Sequence, residues 1–162
     1  MMSRFRLIQL SRGIVLACLV LFVVMNIKVP SISNVPFDTV WKKAVDTIQL
    51  EGYSTMSNQE IKRFLNLNPQ EYKNIRFLRI DDPMQADEMV IVEFQSTDQS
   101  KDFEEKVKAH MDSQNQIYDG YAPEEAKLVK KGIVDVKGNY ALYVVGPDAK
   151  KIEKQFESGL KE

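Results

Sequence analysis

The sequence predicts an α+β fold: a two-layer sandwich with a mainly antiparallel four-stranded sheet and helices packed on it, preceded by an N-terminal transmembrane helix. Three observations support this prediction. An uncharged apolar run lies near the amino end, four short apolar segments have the composition of strands, and the segments around them carry apolar residues at helical spacing. Strand pairs that alternate with helices are typical of the α+β class.

The amino end has the pattern of a membrane signal-anchor. Residues 1–12 form a basic segment with three arginines, and residues 13–29 form an apolar run with no charge before Lys28. Basic residues ahead of such a run keep the amino end in the cytoplasm, so we expect a single-pass cell-membrane protein whose C-terminal domain is extracytoplasmic. A cleavable signal peptide is the alternative, because Ser31 and Ser33 have the spacing of a cleavage site. The charge of Lys28, between the run and that site, favours the anchor.

Cys18 is the only cysteine and lies within the apolar run. Lipidation of Cys18 is not expected, because most of the apolar run would then follow the modified residue instead of preceding it. One cysteine per chain also excludes an internal disulfide framework and a thiolate metal site in the domain. We therefore expect a fold that is stabilised by packing alone.

Residues 30–36 contain two prolines and two serines and are predicted to form a short tether, and residues 37–162 are predicted to form the extracytoplasmic domain. Residues 34–162 hold 18 basic and 23 acidic residues, a formal net charge of −5. A mildly acidic domain lacks the basic clusters that attract nucleic acid. We therefore expect no nucleic-acid partner.

Helices are predicted from apolar stripes and from capping patterns. One stripe covers residues 37–50 and includes Trp41, which we expect in the core. Ser57 and Glu60 have the spacing of a capping box at the start of a second helix. Longer stripes predict a helix over residues 99–118 and another at the C-terminal end of the chain.

Four strands are predicted from runs rich in β-branched and aromatic residues, at residues 75–80, 88–94, 132–136 and 140–145. Gly138-Asn139 joins the last two strands as a tight hairpin, because glycine supplies the positive φ that such turns require. The last strand, YALYVV, shows no alternation of apolar and polar residues. It is therefore predicted to be a central strand, covered on both faces or at one end.

The stretch NQIYDGYAPEEAKL, residues 115–128, allows two interpretations. In the structural interpretation, Gly120 ends the long helix in a left-handed conformation and Pro123 begins the next helical turn. In the functional interpretation, Tyr118, Tyr121 and Pro123 form a partner surface, because tyrosine is enriched at such surfaces. We favour the structural interpretation.

Several motifs together resemble one protein family. They are Leu67-Asn68-Pro69 followed by Tyr72, Asp87-Glu88 at the start of an apolar strand, GYAPE at residues 120–124 and VKGNYALYVVG at residues 136–146. Over roughly residues 36–160 the chain resembles the domain-of-unknown-function family 4358 of Gram-positive Firmicutes. The resemblance implies an extracytoplasmic protein that is membrane-anchored or lipoprotein-like, and it supplies no catalytic residues.

No catalytic residue, cofactor or metal ligand is predicted. His110 is the only histidine, and it lies in a segment rich in charged residues, so we expect an exposed or boundary histidine and not a catalytic base. The sequence contains no nucleophile elbow, no phosphate-binding glycine loop and no His-Glu-x-x-His pair. The acidic residues between positions 81 and 88 are interpreted as turn residues and not as a calcium site.

Three hypotheses about function follow. The leading one is a non-enzymatic binding or accessory module of the cell envelope, with an envelope protein as its partner. The second is a carboxylate-dependent envelope hydrolase that uses Asp81, Asp82 or Asp87 with a water molecule. The third is a sporulation or envelope-assembly factor.

Overall fold

The computed structural model describes residues 32–161. The predicted segments 1–12 and 13–29, and the first residues of the predicted tether, lie outside the described residues. Within residues 32–161, no helix combines the length and the apolar character needed to cross a membrane.

Five α-helices and five strands lie within residues 32–161. In chain order they are α1 (Phe37–Ala44), β1 (Tyr53–Thr55), α2 (Asn58–Leu65), β2 (Tyr72–Ile80), β3 (Glu88–Phe94), α3 (Gln99–Asp119), α4 (Pro123–Lys130), β4 (Ile133–Lys137), β5 (Tyr140–Val145) and α5 (Ala149–Gly159). A short 3₁₀ helix, Pro69–Glu71, precedes β2.

The strands form one sheet in the order β1-β2-β3-β5-β4, and all neighbours are antiparallel. The α+β class and the antiparallel sheet are confirmed, but the predicted count of four strands is wrong. The strand that sequence reasoning missed is β1, which pairs with β2 from Tyr53 opposite Ile80 to Thr55 opposite Leu78. It has three residues at a sheet edge, too few to produce a recognisable pattern.

Helices cover both faces of the sheet, so the predicted two-layer arrangement is wrong and the domain has three layers. On one face, even-numbered residues of β5 such as Leu142 pack with α1 and α5. On the other face, odd-numbered residues such as Tyr143 pack with α2, α3 and α4. Every residue of β3 and β5 is buried, which confirms that YALYVV is a central strand covered on both faces.

The first helix is shorter than predicted. α1 ends at Ala44, and Thr47 has a positive φ of 62° that a helix cannot contain. Trp41 lies in the α1–α5 core with only 7% of its surface exposed, as predicted. The guanidinium carbon of Arg76 lies 4.8 Å from the centre of the Trp41 ring, so a cation–π contact covers the exposed edge of this core.

Two local predictions are confirmed. Glu60 donates its backbone N–H to the Ser57 hydroxyl and accepts the Ser57 N–H at 2.8 Å, which completes the capping box at the start of α2. Gly138 has a φ of +60°, and the hairpin between β4 and β5 turns there.

Residues 33–35 of the predicted tether are hydrogen-bonded to the domain. The Ser33 N–H donates to Asn139 Oδ1 at 2.8 Å, and Asn139 Nδ2 donates back to the Ser33 carbonyl at 3.0 Å. The Ser33 hydroxyl donates to the Leu160 carbonyl, and the Tyr140 hydroxyl donates to the Val35 carbonyl, both at 2.8 Å. The chain therefore enters the domain beside the β4–β5 turn and the end of α5.

The predicted left-handed cap at Gly120 is wrong. Gly120 has φ −76° and ψ −27°, a right-handed helical conformation, and the Ala122 N–H still bonds to the Tyr118 carbonyl at 2.7 Å. The chain continues to turn in the same sense from α3 towards α4, so no reversal of φ is required. Gly146, by contrast, has a φ of +141°, and a Cβ there would lie 2.6 Å from Asp87 Oδ1.

These two glycines form a matched pair for a stability test. We expect Gly120→Ala to raise the free energy of unfolding by about 0.4–1 kcal/mol, because alanine fits the helical backbone and restricts the unfolded chain. We expect Gly146→Ala to lower it by more than 1 kcal/mol, because the backbone is strained and the methyl group meets Asp87. Urea denaturation of the two variants measures both effects, and equal losses of stability would contradict this account.

A candidate binding cleft beside the β2–β3 loop

The loop of residues 81–87 joins β2 to β3, and Asp82 organises its turn. Asp82 Oδ1 accepts the Met84 N–H at 2.8 Å and Asp82 Oδ2 accepts from Gln85 Nε2 at 2.8 Å. These two bonds hold the pKa of Asp82 below its ordinary value, and the bond from the Met84 N–H has the larger effect. Asp82 is therefore an ionised turn residue, which agrees with the interpretation of the acidic residues in this loop as turn residues.

Side chains from the end of α3, the start of α4 and the segment between them hold this loop in place. Three bonds reach the loop backbone: Tyr118 hydroxyl to the Gln85 carbonyl at 2.6 Å, Tyr121 hydroxyl to the Pro83 carbonyl at 3.0 Å, and the Ala86 N–H to Glu125 Oε2 at 2.9 Å. Backbone groups in a loop need such partners when secondary structure supplies none. The stretch 115–128 thus has a structural role.

The three residues of the predicted partner surface have different environments. Tyr118 is buried, with 1% of its surface exposed, whereas Tyr121 is 48% exposed and its ring centre lies 5.4 Å from that of Tyr118. Pro123 is exposed at the first position of α4, as the structural interpretation predicts. Of the three, Tyr121 alone presents an exposed aromatic ring.

A cleft of about 390 Å³ opens beside this ring. Its walls come from α2, the end of β2, the 81–87 loop, the end of α3 and the segment that follows α3: Phe64, Arg79, Ile80, Asp81, Asp82, Pro83, Gln114, Ile117, Tyr118 and Tyr121. Ile117 is 50% exposed, and Met84, the chain neighbour of Pro83, is 55% exposed. The cleft therefore combines exposed apolar side chains with charged ones.

The carboxylate of Glu88, at the start of β3, is buried close to the cleft. Glu88 Oε1 accepts a hydrogen bond from the Tyr143 hydroxyl at 2.5 Å and lies 2.7 Å from His110 Nε2. The side chains of Glu88 and His110 are 3% and 4% exposed. The prediction of an exposed or boundary His110 is therefore wrong: His110 lies on the buried face of α3, where it pairs with Glu88.

Arg79 connects this buried group to the cleft. β2 and β3 place Arg79 directly opposite Glu88, and Arg79 Nε lies 3.8 Å from Glu88 Oε2. Glu88 Oε2 has no hydrogen-bond partner within residues 32–161. The Arg79 guanidinium also stacks on the Phe64 ring, 4.9 Å from its centre. Sequence reasoning did not predict the pairing of Arg79 with Glu88. The signal was visible, because Arg79 lies near the end of one apolar strand and Glu88 at the start of the next.

Burial keeps two tyrosines of this region protonated. Burial, and then the negative charge of Glu88, raises the pKa of Tyr143 well above its ordinary value. Burial also raises the pKa of Tyr118, an effect that the neighbouring Arg79 opposes. Both hydroxyls are therefore hydrogen-bond donors at any physiological pH, Tyr143 to Glu88 and Tyr118 to the loop.

The three aspartates of the hydrolase hypothesis do not line one surface. Asp81 and Asp82 line the cleft, but Asp87 is buried and accepts the Tyr53 hydroxyl at 3.2 Å. Burial is the main cause of a raised pKa for Asp87. The described residues also contain no group of three or more His, Cys, Asp or Glu side chains arranged to hold a metal ion.

We expect Tyr143→Phe to lower the free energy of unfolding by about 1.5–3 kcal/mol, because it removes a buried donor to a charged group. Tyr121→Phe is the control. It removes a hydroxyl that donates to the neutral Pro83 carbonyl, and it should cost only about 0.5–1.5 kcal/mol. Urea denaturation measures both losses. A larger loss for Tyr121→Phe would show that the bond from Tyr143 to Glu88 stabilises the protein less than its burial indicates.

We expect Asp87→Asn to stabilise the protein at neutral pH and to lose this advantage in acid. A folded-state pKa above the unfolded value means that the folded chain binds more protons in the window between the two values, so wild-type stability rises as pH falls through it. The asparagine variant lacks this gain. Unfolding midpoints measured from neutral to acidic pH test the prediction, and an advantage that grows on acidification would contradict it.

The comparisons with known proteins identify the family. A search of the curated proteins and a search of the solved structures each returned no match. A family model described as "Domain of unknown function (DUF4358)" matches residues 46–146, more than half of the chain. The matched range includes the whole cleft together with Glu88, His110 and Tyr143. The chain therefore belongs to the DUF4358 family, as its motifs predicted.

Proposed function

We propose that this chain is a membrane-anchored, extracytoplasmic and non-enzymatic binding or accessory module of the cell envelope, and that the cleft is its partner-contact surface. The observation that carries the proposal is the grouping of exposed apolar side chains. Within residues 32–161, four large apolar side chains are strongly exposed: two of them, Ile117 and Tyr121, line this cleft, and a third, Met84, is the chain neighbour of the lining residue Pro83. Exposed apolar groups that cluster around a concave surface mark interaction sites.

The cleft is also rigidly built, which favours recognition of a partner. Its loop wall is held by the hydroxyls of Tyr118 and Tyr121, and its Arg79 is backed by the buried Glu88. A preformed surface loses little conformational entropy on binding.

The docked residues 33–35 leave the cleft unobstructed. The start of β3, at Glu88, adjoins the cleft, and its end, at Phe94, bonds to Asn139 beside the docked Ser33. Seven strand residues span about 20 Å, so Ser33 and the cleft lie at opposite ends of this strand.

The hydrolase alternative has less support. Asp82 is committed to its turn and Asp87 to Tyr53, so neither carboxylate is placed to activate a water in the cleft. A role in sporulation or envelope assembly is compatible with a binding module and names the process in which the partner would act.

In-cell photo-crosslinking tests the proposal. A photoreactive phenylalanine analogue replaces Ile117, whose exposed side chain makes no hydrogen bond that the loop needs. The matched control carries the same analogue at Lys150, an exposed position on α5 on the other face of the sheet. We expect a discrete protein adduct, identified by mass spectrometry, from position 117 and none from position 150.

Absence of an adduct at position 117, in a variant that is produced at normal abundance, would overturn the assignment of the cleft. A robust hydrolytic turnover by the purified protein that is lost in Asp81→Asn would replace the binding hypothesis with the hydrolase.

A further inference from the structure

The charged groups around the cleft leave it with an excess of negative charge. Three side chains that line it are charged, namely Arg79, Asp81 and Asp82. The charge of Arg79 is offset by the buried Glu88, whose Oε2 lies 3.8 Å from Arg79 Nε and has no hydrogen-bond partner among the described residues. Arg63, whose guanidinium lies 4.5 Å from the centre of the Phe64 ring, adds one positive charge beside the cleft, so Asp81 and Asp82 leave an excess of one negative charge.

Asp81 presents its carboxylate directly to a ligand, and Asp82 adds a second negative charge beside it. Asp81 is exposed, and its backbone N–H, bonded to the Gly52 carbonyl at 2.8 Å, fixes its position. Asp82 is held in its turn by Met84 and Gln85, which stabilise its carboxylate. An anionic partner would be repelled by this pair, whereas a cationic side chain would be attracted.

The aromatic rings of the cleft also suit a cation. The Phe64 ring already contacts two guanidinium groups, with Arg63 at 4.5 Å and Arg79 at 4.9 Å from its centre. The half-exposed Tyr121 ring offers an accessible aromatic surface beside the two aspartates. A Lys or Arg side chain could therefore pair with a carboxylate and contact an aromatic ring at one position.

We propose that the cleft binds a protein segment that presents one lysine or arginine side chain flanked by apolar residues. The cationic group pairs with Asp81 beside the Tyr121 ring, where the charge of Asp82 adds to the attraction, and the flanking apolar side chains cover Ile117. This inference rests on the proposed function of the cleft, and it adds the chemical class of the partner.

The test uses the full chain, purified in neutral sugar-headgroup detergent micelles, with the photoreactive analogue at Ile117. It is irradiated with each of three end-blocked peptides of sequence Gly-Leu-X-Leu-Gly, in which X is lysine, glutamine or glutamate. We expect crosslinking to the lysine peptide to exceed that to the glutamate peptide about tenfold, which corresponds to about 1.4 kcal/mol. The glutamine peptide should be intermediate.

Two variants separate a local effect from one of net charge. Asp81→Lys should reduce the preference for lysine to less than about twofold, because the attraction at the cleft mouth is reversed. Asp46→Lys makes the same change of charge in the loop after α1, where the Asp46 carbonyl bonds to Gln155 of α5. This control should keep the full preference. The full-length variants should show the same urea unfolding midpoint, so that a difference in labelling is not a difference in folding.

Equal labelling by the three peptides, no labelling by the lysine peptide, or a preference for glutamate would overturn the inference. Its failure is distinguishable from failure of the proposed function. An in-cell adduct at Ile117 without a preference for lysine leaves the binding function standing and removes the cationic partner. A preference for lysine without any in-cell adduct would show that the cleft binds cationic side chains but that it is not the contact surface for a protein partner.

Discussion

The burial of β3 and β5 on both faces is the constraint on which the rest of the structure depends. Every residue of the two central strands is buried, and this burial requires helices on both faces of the sheet. Burying a large apolar side chain stabilises a protein by about 1.5–3 kcal/mol, which gives each helical layer its driving force. α1 and α5, from the two ends of the domain, meet over one face, while α2, α3 and α4 cover the other. The three layers follow from this one requirement.

Because β3 is buried, the Glu88 carboxylate lies in the core, where it lowers stability unless polar groups surround it. An isolated carboxylate in a core is destabilising by several kcal/mol unless it is paired. Tyr143 and His110 satisfy one oxygen of Glu88, and Arg79 stands opposite the other. Arg79 also lines the cleft, so its attraction to Glu88 helps to fix the position of one side chain in the cleft wall. Glu93, on the opposite face, is satisfied differently, by Lys73 and Asn74 at the surface.

The family match divides the domain in an informative way. Residues 46–146 include the cleft, its supporting loop and the Glu88 cluster, whereas α1, the docked residues 33–35 and α5 lie outside that range. The matched part of the chain is thus the sheet with the helical layer that carries the cleft. The other layer closes the second face of the sheet and receives the incoming chain, which places entry and cleft at opposite ends of β3.

The sequence by itself determined the α+β class, the antiparallel hairpin at Gly138, the capping box at Ser57, the burial of Trp41 and the family, because each depends on neighbouring residues or on quoted motifs. Tertiary structure alone decided the third layer, the edge strand β1, the burial of His110 and the contact of Arg79 with Glu88. Each of these depends on which distant segments meet: β5 lies between β3 and β4, and strand register brings Tyr143 and Arg79 to the same carboxylate. Local periodicity carries no information about such pairings, so the cleft became visible only when the 81–87 loop and the end of α3 were placed side by side.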